Sequence, residues 1–248
     1  MVRYQVILAY DGAGFTGSQI QANSRTIQGE LEIALRNLGW SGKSVIMAGR
    51  TDTGVHATGQ VAAFDFEWTH TAEKLLNALN ADLPADLAIK SLRPAAADFH
   101  PRFDAISRKY LYRLICDPIR DPLREKFVWR VWPAADGDAL RKNASIFLGT
   151  HDFAAMGSPT TPKGTTVRTV TKAEWKKMPE GEWQFEVQAD AFLYRMVRRL
   201  VYVQVSVAQG RCSVEKVQQA FLKQGKLLAG LAPAHGLTLV EVKYGSPN

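Results

Sequence analysis

Apolar positions alternate along some stretches of this chain and recur every three or four residues along others, and the two periods mark out its elements. Residues 3–10 (RYQVILAY) read as a strand stopped by Asp11-Gly12. Over 26–38, Ile27, Leu31, Ala34, Leu35 and Leu38 make one helical stripe, with Thr26 placed to cap its start and Gly39 its end. Residues 59–66 read as a buried strand, and 71–80 as a second helix closed off by Pro84. Over 107–116 the strand period puts Lys109, Leu111, Arg113 and Ile115 on one face and Tyr110, Tyr112 and Leu114 on the other. Pro118, Pro122 and Pro133 make 117–134 a connection. Residues 138–148 read as a helix and 157–166 (GSPTTPKGTT) as the clearest loop. Trp183, Phe185, Val187 and Ala189 alternate over 182–189, residues 213–224 form a helix capped by Ser213 and stopped by Gly225, and 237–244 close with a strand.

Residues 192–209 fit both periods. Val201, Val203, Val205 and Val207 alternate like a strand, while Leu193, Met196, Val197, Leu200, Gln204 and Val207 make a helical stripe. A length near 18 residues favours the helix, which turns Arg195, Arg198, Arg199 and Tyr202 to the opposite face. The element order predicts an α+β protein of two similar halves, 1–104 and 105–248, each with a mainly antiparallel sheet flanked by helices. Identity between the halves is too weak to make them a sequence repeat.

Composition narrows the class. Of 248 residues, 46% are hydrophobic, which excludes a disordered chain. Lysine and arginine number 31 against 24 acidic residues, a net charge of +7 and a pI near 9.4, which favours a polyanionic partner. Cys116 and Cys212 are isolated, so neither a metal site nor a disulfide framework is expected, and a reducing compartment is. No signal-like segment or run of about 20 apolar residues occurs, so the expectation is a cytoplasmic protein without a membrane partner.

Two windows carry candidate chemistry. Gly12-Ala13-Gly14-Phe15-Thr16-Gly17 matches GxGxxG after a strand, with Glu30 and Glu32 downstream. A dinucleotide site needs a helix opening directly at the last glycine, whereas here Thr26 comes nine positions later, after Gln19, Gln21, Asn23 and Ser24. No nucleotide cofactor is therefore expected, and the glycines read instead as a turn that lets backbone approach something closely. The second window, 48–60 (AGRTDTGVHATGQ), surrounds Asp52 with Thr51, Thr53, Gly49 and Gly54, leaving its carboxylate room, with Arg50 two residues away. From the residues alone the stronger reading is an Asp turn, with the carboxylate on backbone N–H groups.

Residues 49–57, Gly-Arg-Thr-Asp-Thr-Gly-Val-His-Ala, resemble the signature of the TruA family, the tRNA pseudouridine synthases of the anticodon stem-loop. Four further segments resemble that family in order along the chain: Tyr10-Asp11-Gly12 with Phe15, Gly17, Gln19 and Thr26-Ile27-Gln28; residues 99–104 with 108–112; residues 189–198; and residues 232–237. Ser18 stands where the family often has Trp and Ala191 where it usually has Gly, and neither replaces a reacting group.

The resemblance implies the pseudouridine synthase fold, with a catalytic cleft between the halves. It implies isomerisation of tRNA uridines at positions 38 to 40, with no cofactor and no metal. By similarity, Asp52 is the nucleophile, Arg198 the arginine that pairs with it, and Tyr110 the ring that stacks on a flipped-out uracil. Arg50 fills the vacated space or holds the flipped backbone. Without the resemblance, Arg198 reads as a solvated arginine and Tyr110 as a core tyrosine. Whether the carboxylate attacks the uracil, attacks the sugar or removes a sugar proton stays open. For His56, core packing and backbone hydrogen bonding are expected rather than acid–base chemistry. Arg195 and Arg199 are expected to be solvated or on phosphate. Arg102, Arg108, Lys109 and Arg113 are expected to extend a cationic groove for tRNA. A homodimer is implied as well. Competing readings are an RNA-binding or RNA-chaperone module without catalysis, and the oxidoreductase of the glycine motif.

Overall fold

The computed structural model describes residues 1–161, 163–222 and 227–245. The chain packs as two units, one of Met1–Ile106 with the residues from Thr238 onward, the other of Ser107–Leu237. Residues 238–245, which the sequence division places in the second half, thus belong with the first. The reason is strand pairing, set out below.

In the first unit, β1 (Val2–Tyr10) lies antiparallel between β3 (His56–Phe66) and β4 (Leu87–Pro94). The opposite edge of β3 takes the two-residue strand β2 (Ile46–Met47) antiparallel and β10 (Leu237–Tyr244) parallel, with Thr238 opposite His56. Gly59 permits this, because a Cβ there would sit 2.2 Å from the Val240 carbonyl oxygen. Tyr4, Val6, Leu8 and Tyr10 alternate inward along β1. The helices α1 (Ile27–Asn37) and α2 (Ala72–Asp82) bury Leu31, Leu35, Leu75 and Leu79 completely. Thr26 and Thr71 cap them as expected, accepting from the N–H groups of Gly29 and Lys74.

In the second unit, β5 (Ala105–Cys116), β9 (Glu182–Ala189), β8 (Val167–Lys177) and β7 (Gly149–Asp152) pair in that order, all antiparallel. The segment read as a bare connection contains β6 (Trp129–Val131), parallel to the end of β5. Trp183, Phe185, Val187 and Ala189 are all buried, as their alternation requires. The helix α3 (Gly137–Ala144) packs on α4 (Met196–Ala208) and β8. α5 (Val214–Phe221) is capped by Ser213 and seats Phe221 against Phe147 and Phe153. Gly225, its expected stop, lies outside the described residues.

The α4 segment is a helix, but a shorter one than expected. Arg195 takes a left-handed conformation (φ 62°), so the helix begins only at Met196. Its buried side is also wider than one stripe. Val203, Val205 and Ser206 are buried with Leu200 and Gln204, while Val207 is half-buried. Gln204 is tolerated at zero exposure because its Oε1 accepts from Trp175 Nε1 at 2.8 Å. Among the described residues no helix is long and apolar enough to cross a membrane. No group of three or more His, Cys, Asp or Glu side chains could hold a metal ion among them.

Candidate active site

Arg50 and Asp52 lie in the first unit, on the loop between β2 and β3, with Arg50 exposed and Asp52 half-buried. That loop is pinned at several points along its length. The Ala48 N–H donates to Val61 O, the Gly49 carbonyl accepts from Gln60 Nε2 at 2.9 Å, and the Val55 N–H closes a turn onto Asp52 O. Thr51, buried at 7% exposure, donates its N–H to Ser18 Oγ at 2.8 Å and accepts the Ser18 N–H at 3.1 Å. Its Oγ1 lies 2.9 Å from the Tyr10 hydroxyl. Burial pushes that hydroxyl up to about 12, against the pull of Thr51 and Gln60, so Tyr10 keeps its proton at physiological pH.

The GxGxxG match finds its explanation here. A Cβ at Gly12 would lie 2.1 Å from Val55 O, and one at Gly17 2.9 Å from Thr51 O. Gly17 also has φ +84°. What approaches these glycines is the backbone of the Asp52 loop. His56 is buried beneath the same turn. Its Nδ1 accepts the Gly12 N–H at 3.0 Å and sits 3.1 Å from Asp11 Oδ1. Both the Gly12 N–H and the Asp11 carboxylate thus meet one ring nitrogen, which ties His56 to the backbone of the turn.

Tyr110 and Arg198 lie in the second unit. Tyr110 is half-buried on β5, opposite Val187 of β9, with its ring edge-on to Phe192 at 5.1 Å. Arg198 is half-buried in the first turn of α4. Its Nε donates to Ala232 O at 2.8 Å, and its own carbonyl accepts the Ala232 N–H at 3.2 Å, so helix and 232–236 segment hold each other reciprocally. Tyr112, fully buried, supports the same segment through its hydroxyl to Pro233 O at 2.8 Å, and a Cβ at Gly236 would strike its ring at 2.6 Å. Burial drives the Tyr112 hydroxyl well above its usual range, and Arg198 pulls it the other way.

Two expectations for the basic residues are corrected. Arg199 is not a solvated cation: it is half-buried, donates to Gly230 O at 2.8 Å, and burial lowers its pKa. Arg113 is not available to phosphate as drawn, because a bidentate pair at 2.7 Å commits it to Glu182. Arg195 is exposed and lies over the Tyr194 ring at 4.7 Å. Sequence reasoning missed Ser18, Tyr10 and Gln60 as parts of the loop's support. The signal was present in Gln60, a polar side chain inside the apolar run GQVAAF, which burial obliges to find a partner.

The family model described as tRNA pseudouridine synthase matches residues 6–104 and 144–245. A tRNA pseudouridine synthase A of Chloroflexus aurantiacus is 41% identical over 246 residues, covering 96% of this chain and 87% of its own. Its counterpart in Shouchella clausii is 37% identical, covering 100% of this chain and 95% of its own. The Listeria welshimeri protein of the same name is 38% identical, covering 98% and 100%. A chain of a solved Cbf5-Nop10-Gar1 complex aligns over 82% of this chain and 44% of its own at TM-score 0.37 and 11% identity, too remote to bear on the assignment. With both matched segments running through the pinned Asp52 loop and the α4 segment, the chain belongs to the tRNA pseudouridine synthase family, isomerases that act on tRNA.

Proposed function

We propose that this protein converts uridines at positions 38 to 40 of the tRNA anticodon stem-loop into pseudouridine, with Asp52 as nucleophile and no cofactor. In that isomerisation the bond from the ribose to the base nitrogen breaks and one to a ring carbon forms. The proton lost from carbon is balanced by one gained at nitrogen, and nothing leaves. A carboxylate suits the task because it can add covalently and later depart. The observation that carries the reading is the rigidity built around Asp52: the residue before it has its N–H, its carbonyl and its hydroxyl all engaged. Such support is what a reacting group needs and a casual surface turn does not.

The other roles are those the family resemblance implies. Arg198, oriented by Ala232 O, supplies the fixed positive charge that keeps the carboxylate ionised away from water. The Tyr110 ring, braced by Phe192, stacks on the uracil once the nucleotide is flipped out of the stem. Exposed Arg50 occupies the vacated space or holds the flipped backbone. The family resemblance further implies a homodimer, and the isolated cysteines favour a reducing compartment, the cytoplasm.

The test is incubation with unmodified tRNA transcripts followed by mapping of pseudouridine. The expected result is modification at 38 to 40 by the native protein, none by Asp52→Asn, and tRNA binding retained by that variant. Near-normal turnover by Asp52→Asn would remove Asp52 from the chemistry. Modification only at other positions would move the substrate assignment elsewhere.

A further inference from the structure

We propose that Ser18 and Tyr10 are positioning residues for the reaction, fixing Thr51 and, one peptide bond on, the carboxylate of Asp52. The proposal rests on the reading of Asp52 as nucleophile.

Ser18 forms a two-way bridge with Thr51: its Oγ takes the Thr51 N–H and its N–H reaches the Thr51 carbonyl. Ser18 is 1% exposed, so water does not compete for either bond. The bridge is itself anchored. The Ser18 carbonyl accepts the Gln28 N–H at 3.0 Å and the Gly17 carbonyl accepts the Ile27 N–H at 3.3 Å. These are orphan donors at the start of α1, so the helix end and the 17–18 segment satisfy each other. Tyr10, the last residue of β1, holds the Thr51 side chain from another direction. Gln60 of β3 ties Tyr10 and Gly49 together, reaching the Tyr10 hydroxyl at 3.5 Å and Gly49 O at 2.9 Å. Thr51 is thereby fixed between a helix start and two strands.

Consecutive Cα atoms are about 3.8 Å apart across a rigid peptide, so any displacement of Thr51 is passed to Asp52.

The experiment uses the full chain and tRNA transcript, with Ser18→Ala and Tyr10→Phe assayed beside Asp52→Asn. kcat, KM, tRNA affinity and melting temperature are measured for each. The expected result is a fall in kcat of about tenfold to hundredfold in either variant, with KM and tRNA affinity within about twofold of native. The double variant loses less than the product of the two, because both act through Thr51. Tyr10→Phe removes one oxygen and keeps the ring, so it decides the matter if Ser18→Ala fails to fold. Unchanged kcat in a folded variant, or a rise in KM alone, overturns the proposal. An inactive Asp52→Asn beside fully active Ser18 and Tyr10 variants sinks the positioning role only. An active Asp52→Asn sinks the nucleophile reading itself.

Discussion

Glu182 shows how a single buried charge is made tolerable in the second unit. Its side chain is 8% exposed, and burial alone would raise its pKa. Arg113 in bidentate contact, Gln184 at 2.9 Å and Arg124 at 4.0 Å outweigh that, and the carboxyl is held below its ordinary value. A depressed native pKa contributes stability that is present above the unfolded-state value and lost as the pH falls through the native one. Melting curves between neutral pH and about pH 3 should therefore fall more steeply for the native protein than for Glu182→Gln. At neutral pH the variant should melt lower, since Arg113 is left half-buried beside a neutral amide. Parallel curves would show that this pair does not contribute to acid lability. The Arg25–Asp86 pair, though as short at 2.7 Å, is more exposed, and screening leaves it little to contribute.

At the scale of elements, the turn after β1 and the loop before β3 are one piece of machinery. Gly12→Ala would drive a methyl into Val55 O, a backbone atom that cannot swing aside as a side chain can. The loop must shift, and kcat should drop on the order of a hundredfold with a lowered melting temperature. Gly245→Ala, where nothing lies within 4 Å of the added carbon, serves as the control. Native turnover by Gly12→Ala would mean that the loop tolerates displacement.

The elements themselves were unevenly legible in the sequence. β1, α1 and β9 announce themselves because each has one buried face and the period survives end to end. β8 did not, because its register shifts between Val170 and Lys172 and breaks the alternation. β6 is three residues long, too short for any period to show. Arg195 ends what apolar spacing alone would continue, since a left-handed residue leaves no trace in hydrophobicity. Asp52 stood out as a candidate through its motif, but not the hydroxyls of Ser18 and Tyr10 that hold its neighbour, because hydrogen bonds between segments far apart in sequence have no period.

For the whole molecule, the charge of +7 implies that electrostatics dominates affinity for tRNA. Binding should weaken at least about tenfold between roughly 50 and 200 mM salt, linearly on a log–log plot. A flat salt response would argue that the basic residues are committed internally, as Arg113 and Arg199 already are.

The return of β10 to the first unit has a consequence for biosynthesis. Thr238 pairs with His56, four positions beyond Asp52, yet it leaves the ribosome long after it. A nascent chain carries the Asp52 loop early, beside a strand edge still open at His56 and Ala57. The edge of β3 beside the Asp52 loop is thereby closed only once the Thr238–Leu239 segment has emerged, late in synthesis.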